Sequence, residues 1–176
     1  MENLIIGNVS TLFAMSANAF SSTRKTAKGV LLFQCLSQLI YFFTSMVLKG
    51  YSGAVQNVVS ILRNLAAIRK IQSKFIAWTL TIAGVVLGIV FNNLGWIGLL
   101  PVIGNLQYTL VIFQLQDNER AIKASFFIST VAYIVFNTAI YNFAGTISDS
   151  VVAITTAIAL IKSGEKADAA EVAEQK

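Results

Sequence analysis

The sequence predicts an all-α membrane protein with seven transmembrane helices, arranged as two parallel three-helix repeats joined by a linking helix. Three observations support this fold class. First, the 176 residues are 56% hydrophobic and 12% charged, with a mean hydropathy of +0.70, which leaves too little polar surface for a water-soluble globule. Second, the basic residues cluster in alternate gaps between apolar stretches. Third, the chain matches itself weakly at an offset of 92 residues.

Seven apolar stretches approach the roughly 20 residues that a helix needs to cross a bilayer. The third carries several polar residues, so taken alone it also fits an amphipathic surface helix. Glu2 stands where a signal peptide needs basic residues, which favours an uncleaved first helix. We place the spans at residues 4–22, 29–48, 51–69, 74–92, 94–115, 121–141 and 143–162.

These spans divide the chain into four parts. A first triple bundle occupies 1–70, the linking helix 71–93 and a second triple bundle 94–162. The remaining 163–176 is rich in Ala, Glu and Lys, which predicts a polar cytoplasmic tail, either solvated or a frayed helix.

The basic residues support seven spans and predict the orientation. With seven spans, only Lys49 lies on one side of the membrane, and Arg63 lies within the third span. Because cytoplasmic loops carry the excess of Lys and Arg, the N-terminus is predicted to be periplasmic and the C-terminus cytoplasmic. The other side then holds eleven of the thirteen basic residues, namely Arg24, Lys25, Lys28, Arg69, Lys70, Lys74, Arg120, Lys123, Lys162, Lys166 and Lys176.

Polar residues inside the spans recur at the repeat offset. The 92-residue shift places Tyr41 on Tyr133 and Asn57 on Asp149. A charged side chain at mid-bilayer costs at least about 3 kcal/mol, so such residues normally face a partner or a water-filled cavity. The stripes on the third and seventh helices therefore predict a shared pathway for a small polar solute. The predicted solute-binding residues are Asn57, Ser60, Arg63, Asn64, Ser148, Asp149 and Thr156.

The same residues have simpler interpretations, which the sequence leaves open. Arg63 and Asp149 also fit a buried ion pair, and the polar side chains Asn57, Asn64 and Thr156 also fit hydrogen bonds between helices. Tyr41 and Tyr133 are predicted to be interfacial anchors or packing residues, as are Trp78 and Trp96.

Two backbone features complete the predicted architecture. Pro101 is the only proline and, with Gly104, predicts a kink or hinge early in the fifth helix. Gly84 and Gly88 form a small-residue face on the fourth helix. That face fits either packing within the chain or a homodimer.

The duplicated polar stripes favour a transporter, and the composition disfavours an enzyme. The chain has no His, Cys35 is its only cysteine, and the spans contain a single Asp, so catalytic and metal sites lack their usual residues. We expect no enzyme activity, cofactor, metal or nucleic-acid partner, and we expect contacts with membrane lipids and a small polar solute. The alternative is a non-transporting scaffold or receptor with the same fold.

Particular runs resemble a known family. The run Leu-Leu-Pro-Val-Ile-Gly at 99–104, the third-helix residues around Asn57 and Arg69, and the stretch from Asn137 to Asp149 resemble the bacterial inner membrane protein family called YgjV. This resemblance implies a location in the bacterial inner membrane.

More distantly, the 3-1-3 layout resembles the SWEET and PQ-loop transporters. That resemblance implies solute contacts at Asn57 and Asp149, with a sugar-like or zwitterionic solute. A guanidinium at Arg63 and a carboxylate at Asp149 facing one cavity would suit a zwitterion.

Overall fold

The computed structural model describes residues 1–22, 24–71, 73–115 and 118–174, and these contain only helices and their connections. N-caps explain several helix starts: the side chains of Thr26, Ser73 and Asn118 each accept a hydrogen bond from a first-turn amide. The helices are α1 (Glu2–Ser22), α2 (Ala27–Val47), α3 (Tyr51–Ile68), α4 (Lys74–Val90), a 3₁₀ helix (Ile97–Leu99), α5 (Leu100–Gln114), α6 (Glu119–Ala139) and α7 (Phe143–Glu174).

The exterior of the fold is apolar, while many buried side chains in the described residues are polar. Phe13, Phe75 and Ile161 are each more than 60% exposed, whereas Thr11 and Gln56 are at most 2% exposed. Such a surface needs lipid around it. By length and composition, α1, α2, α6 and α7 can cross a membrane, and α4 is apolar but shorter.

Each helix packs on the next, and the set closes into a ring. α1 packs on α2 and α2 on α3, while α5 packs on α6 and α6 on α7. The ring closes where α1 meets α7 and α3 meets α5, and α4 lies against both α3 and α5. The connections are short, so successive helices run antiparallel and the connections alternate between two ends. The grouping into two parallel triple bundles remains a prediction.

The 92-residue repeat is visible in the helix boundaries. Shifted by 92 residues, the range Ala27–Val47 of α2 coincides with the range Glu119–Ala139 of α6, and the N-cap Thr26 coincides with Asn118. Lys49 and Tyr141, which are also 92 apart, both follow a helix with a left-handed backbone, at φ values of 59° and 58°. The two halves therefore use the same local signals to end one helix and begin the next.

The fifth helix begins later than the sequence predicted. The side-chain amide of Asn92 donates a hydrogen bond of 2.7 Å to the backbone carbonyl of Gly95. Gly95 has a φ of 57°, so a turn occupies this stretch. α5 itself begins at Leu100, which places Pro101 in its first turn. A first-turn proline removes no internal helix hydrogen bond. The missing amide of Pro101 therefore gives no reason for a kink, and a kink or hinge at Pro101 and Gly104 remains a prediction.

One end of the ring is closed by an apolar cluster of Leu48, Phe136 and Ile140, which we call the Phe136 cluster. The ring of Phe136 is 1% exposed and lies against Gly50 and Gly53 of the α2–α3 connection and α3. A Cβ atom added at Gly53 would lie 2.6 Å from this ring. Because neither glycine has a side chain, the two residues leave a socket that the Phe136 ring fills.

The opposite end carries Arg24, Lys25, Arg69, Lys70 and Lys74, and we call it the basic end. The helical part of the chain also extends here beyond the predicted span, because α7 continues to Glu174. The predicted tail 163–176 is thus helical through residue 174, and its last two residues lie outside the described part of the chain.

Candidate functional site

A cavity of about 720 Å³ lies between α3, α4 and α5. Its floor is formed by Gln56, Gly84 and Val102, and its mouth by Lys70 and Lys74 at the basic end. Along α3, Ile68 lies twelve positions after Gln56, which corresponds to about 18 Å of helix, and Lys70 follows the end of the helix. The cavity thus extends from the basic end toward the Phe136 cluster and stops about one turn short of Gly53.

Glycines on α4 explain why the cavity widens toward the basic end. A Cβ atom at Gly88 would lie 2.5 Å from Val102 and 2.8 Å from the Gln56 amide, so α4 packs tightly here. The equivalent position at Gly84 lies 3.3 Å from Val59. The small-residue face of α4 is therefore in contact with α3 and α5 of the same chain. Closer to the mouth, Ala66, Ala67 and Ala77 line the cavity and leave space between the helices.

A hydrogen-bonded polar floor joins the three helices. The Gln56 amide donates to the carbonyl oxygen of Gly84 on α4 at 2.8 Å. The same side chain accepts a hydrogen bond of 2.8 Å from the Asn105 amide on α5. Gln56 is 2% exposed and uses both ends of its amide. Buried polar groups with all partners in place hold neighbouring helices in one arrangement, so this floor is a fixed part of the site.

Arg63 lines the cavity above this floor. Its Nη1 donates to Asn105 Oδ1 at 3.5 Å and to Thr109 Oγ1 at 3.4 Å. Both contacts are long for hydrogen bonds of a guanidinium, which are usually near 2.9 Å. Among the described residues, its other donors have no acceptor. Arg63 therefore has donor capacity that faces the cavity.

Asp149 lies outside this cavity and has a different partner. The Asn137 amide on α6 donates to Asp149 Oδ2 at 2.8 Å. Asn137 in turn accepts from Asn142, and Asn142 accepts from Thr11 of α1 at 2.9 Å. The network links α1, α6 and α7 near the Phe136 cluster. Arg63 and Asp149 form no ion pair, so the structure contradicts the direct buried pair.

The repeat-related position in α3 has an equivalent, weaker contact. The Asn57 amide lies 3.5 Å from Ser45 Oγ on α2, and Ser45 and Asn137 are 92 residues apart, as are Asn57 and Asp149. The repeat therefore places a polar contact between the second and third helix of each half. Asn57 therefore lies between α2 and α3, which agrees with the interpretation that it forms a hydrogen bond between helices. It does not line the cavity.

The remaining predicted site residues are dispersed. Ser60 is buried at 8% exposure, and Asn64 is half-buried. Ser148 is half-buried, and the Thr156 hydroxyl donates to the carbonyl of Val152 within α7. None of these four lines the cavity. Of the predicted solute-binding residues, only Arg63 does.

Tyr41 and Tyr133 are half-buried. The Tyr133 ring packs edge-on against Phe136, with 6.5 Å between the ring centroids. Packing, one of the two interpretations of these tyrosines, therefore fits Tyr133. Trp78 and Trp96 are 53% and 70% exposed.

The sequence argument missed Asn105 and Thr109 as site residues. They lie four residues apart on one face of α5, and the Thr109 hydroxyl also donates to the carbonyl of Asn105 at 2.7 Å. Their 92-residue equivalents in α1 are Phe13 and Ala17, so the repeat gave no signal for them. Their spacing alone identifies one polar face in an apolar helix.

Comparison with known proteins gives a family. The family model for YgjV, described as a bacterial inner membrane protein, matches residues 5–167. No curated protein matches the chain, and no solved structure matches it. The resemblance to the SWEET and PQ-loop transporters is not shown by these comparisons. The family match covers nearly the whole chain, and the apolar exterior agrees with it. The chain therefore belongs to the YgjV family of bacterial inner membrane proteins.

Proposed function

We propose that this protein transports a small polar solute across the inner membrane by alternating access. One observation carries the proposal: the cavity runs from the basic end to a polar floor, and the Phe136 cluster lies beyond that floor. A cavity of about 720 Å³ is the size of a small-molecule site. A cavity accessible from one end and sealed at the other is the shape expected of one state of an alternating-access cycle.

The seven-span topology and the positive-inside rule complete this proposal. They place the basic end in the cytoplasm, so the structure would correspond to an inward-facing state. Opening toward the periplasm would then require Phe136 to leave its socket at Gly50 and Gly53. Membrane lipids are the proposed surroundings, and we propose no nucleic-acid partner and no cofactor.

The test is uptake into proteoliposomes, using radiolabelled sugars, amino acids and small carboxylates. Ala66→Phe places an aromatic ring in the cavity, so it should abolish saturable uptake of whichever solute is taken up. Leu65→Phe is the matched control, because Leu65 is 41% exposed and lies outside the cavity. Loss of uptake in both variants, or in neither, would contradict this cavity as the pathway.

The alternative is a receptor or scaffold that binds the solute without moving it. The dense polar floor supports this alternative, since it holds α3, α4 and α5 together as a fixed unit. Solute-dependent thermal stabilisation without uptake would favour the receptor. Uptake that saturates and that Ala66→Phe removes would favour the transporter.

A further inference from the structure

We infer that the cavity selects an oxyanion, a carboxylate or a phosphate, with Arg63 as its main recognition residue. This inference rests on the proposed function, because it assigns the solute class of the same cavity. A zwitterion was expected from the sequence if Arg63 and Asp149 faced one space. In the structure Asp149 does not line the cavity, so an ammonium group would find no carboxylate there.

Among the described residues, the charges that line the cavity all have the same sign. They are Arg63, Lys70 and Lys74, and the described lining contains no Asp or Glu. Lys70 and Lys74 are exposed at the mouth. Arg63 lies five positions, about 8 Å, before the end of α3 at Ile68, and Lys70 follows that end. Positive charge at the mouth and further positive charge inside attract and concentrate anions in a cleft.

The chemistry of Arg63 fits a planar oxyanion. A guanidinium presents its donors as a rigid fork that matches the two oxygens of a carboxylate or phosphate. Asn105 and Thr109 hold the guanidinium by Nη1 only, through contacts of 3.4 to 3.5 Å. Both partners are neutral, so they leave the charge of Arg63 uncompensated. A buried cation with no local counter-charge is unfavourable in a membrane, which a bound anion would relieve.

The polar floor is less available for recognition than Arg63. Gln56 is 2% exposed, and it uses its amide oxygen and one amide N–H in hydrogen bonds to Asn105 and Gly84. The charged donors in the deep part of the cavity belong to Arg63.

The test is equilibrium binding of radiolabelled phosphate and succinate to the purified full chain, at constant ionic strength. Glucose and glycine at equal concentration serve as neutral and zwitterionic competitors, and they should not displace the bound anion. Arg63→Gln should weaken binding about tenfold or more, the value expected for losing charged hydrogen bonds. Arg69→Gln is the matched control, because Arg69 is exposed beside Lys70 and does not line the cavity.

Two further variants keep the test sharp if Arg63→Gln fails to fold. Asn105→Asp places a carboxylate beside Nη1 of Arg63, so it should act as a built-in competitor and abolish anion binding. Lys70→Gln with Lys74→Gln changes only exposed residues and should weaken binding about threefold, with a loss that shrinks as salt rises. Unchanged affinity in Asn105→Asp and in the lysine double variant would overturn the inference.

The source of the anion follows from two kinds of lipid disc. If the anion is a lipid headgroup, discs with phosphatidylglycerol should stabilise the protein over discs of phosphatidylcholine, and Arg63→Gln should remove that gain. If it is a free solute, soluble phosphate should stabilise equally in both discs. Either result supports an oxyanion at Arg63 and identifies where it comes from.

The inference and the proposed function fail in different ways. Anion binding that depends on Arg63, with no uptake of any labelled solute, would overturn transport and leave the oxyanion site. Saturable uptake of a neutral sugar that Arg63→Gln leaves unchanged would overturn the oxyanion site and leave transport.

Discussion

At the scale of single residues, the two charges inside the ring have neutral hydrogen-bond partners. Asp149 accepts from Asn137, and Arg63 donates to Asn105 and Thr109. Each charge therefore has its own local environment, and their stability effects should be largely separate.

A double-mutant cycle tests this separation. Arg63→Gln and Asp149→Asn should reduce the free energy of unfolding by amounts that add to within about 0.5 kcal/mol, as expected for residues that do not touch. Asn137→Ala combined with Asp149→Asn should instead show a coupling of about 1 to 3 kcal/mol, because they share a hydrogen bond. Unfolding in mixed detergent measures both. A coupling for Arg63 and Asp149 as large as that for Asn137 and Asp149 would contradict the assigned partners.

The sequence identifies Arg63 as a site residue, but it does not identify the polar residues that surround Arg63. Arg63 stands out because a charge in an apolar span is costly. Asn105 and Thr109 do not stand out, since one amide or hydroxyl in a helix is ordinary. Their importance comes from the packing of α5 against α3 and α4, which no single helix encodes.

At the scale of the helices, α4 is held by close approach at its glycines rather than by large side chains. Gly88→Ala should destabilise the protein by about 1 to 3 kcal/mol, because its Cβ would meet Val102 and Gln56 at 2.5 and 2.8 Å. Gly84→Ala is the control, since its nearest neighbour at 3.3 Å is a valine side chain. It should be close to neutral, because alanine also improves helix propensity. Thermal unfolding in detergent compares the two, and equal losses would contradict this packing.

The start of every helix except the fifth was predicted to within two residues. The predicted starts at 51, 74 and 143 agree with α3, α4 and α7. The fifth helix was placed six residues too early, because the stretch from Leu94 to Leu99 is as apolar as a helix but forms a turn and a 3₁₀ segment. Apolarity reports burial or lipid contact, and it does not report backbone conformation.

At the scale of the whole molecule, alternation of the connections predicts which residues share a side of the membrane. Lys49 and Tyr141 are exposed at the Phe136 end, and Lys25 and Lys74 are exposed at the basic end. In a Cys35→Ala background, cysteines at Lys49 and Tyr141 should react with an impermeant thiol reagent added outside intact cells. Cysteines at Lys25 and Lys74 should react only after lysis. Labelling of Lys49 and Lys74 positions from the same side would rule out the seven-span topology.

The Phe136 cluster also determines where the membrane potential falls. Water in the cavity would carry the electrical potential of the basic side close to Arg63, so most of the voltage would drop across the thin apolar layer beyond Gln56. Moving one elementary charge through 100 mV involves about 2.3 kcal/mol. An anion crossing with its charge uncompensated would experience nearly this whole energy in the single step that withdraws Phe136 from its socket. That step would therefore be the voltage-dependent one, and binding at Arg63 from the basic side would be nearly indifferent to voltage.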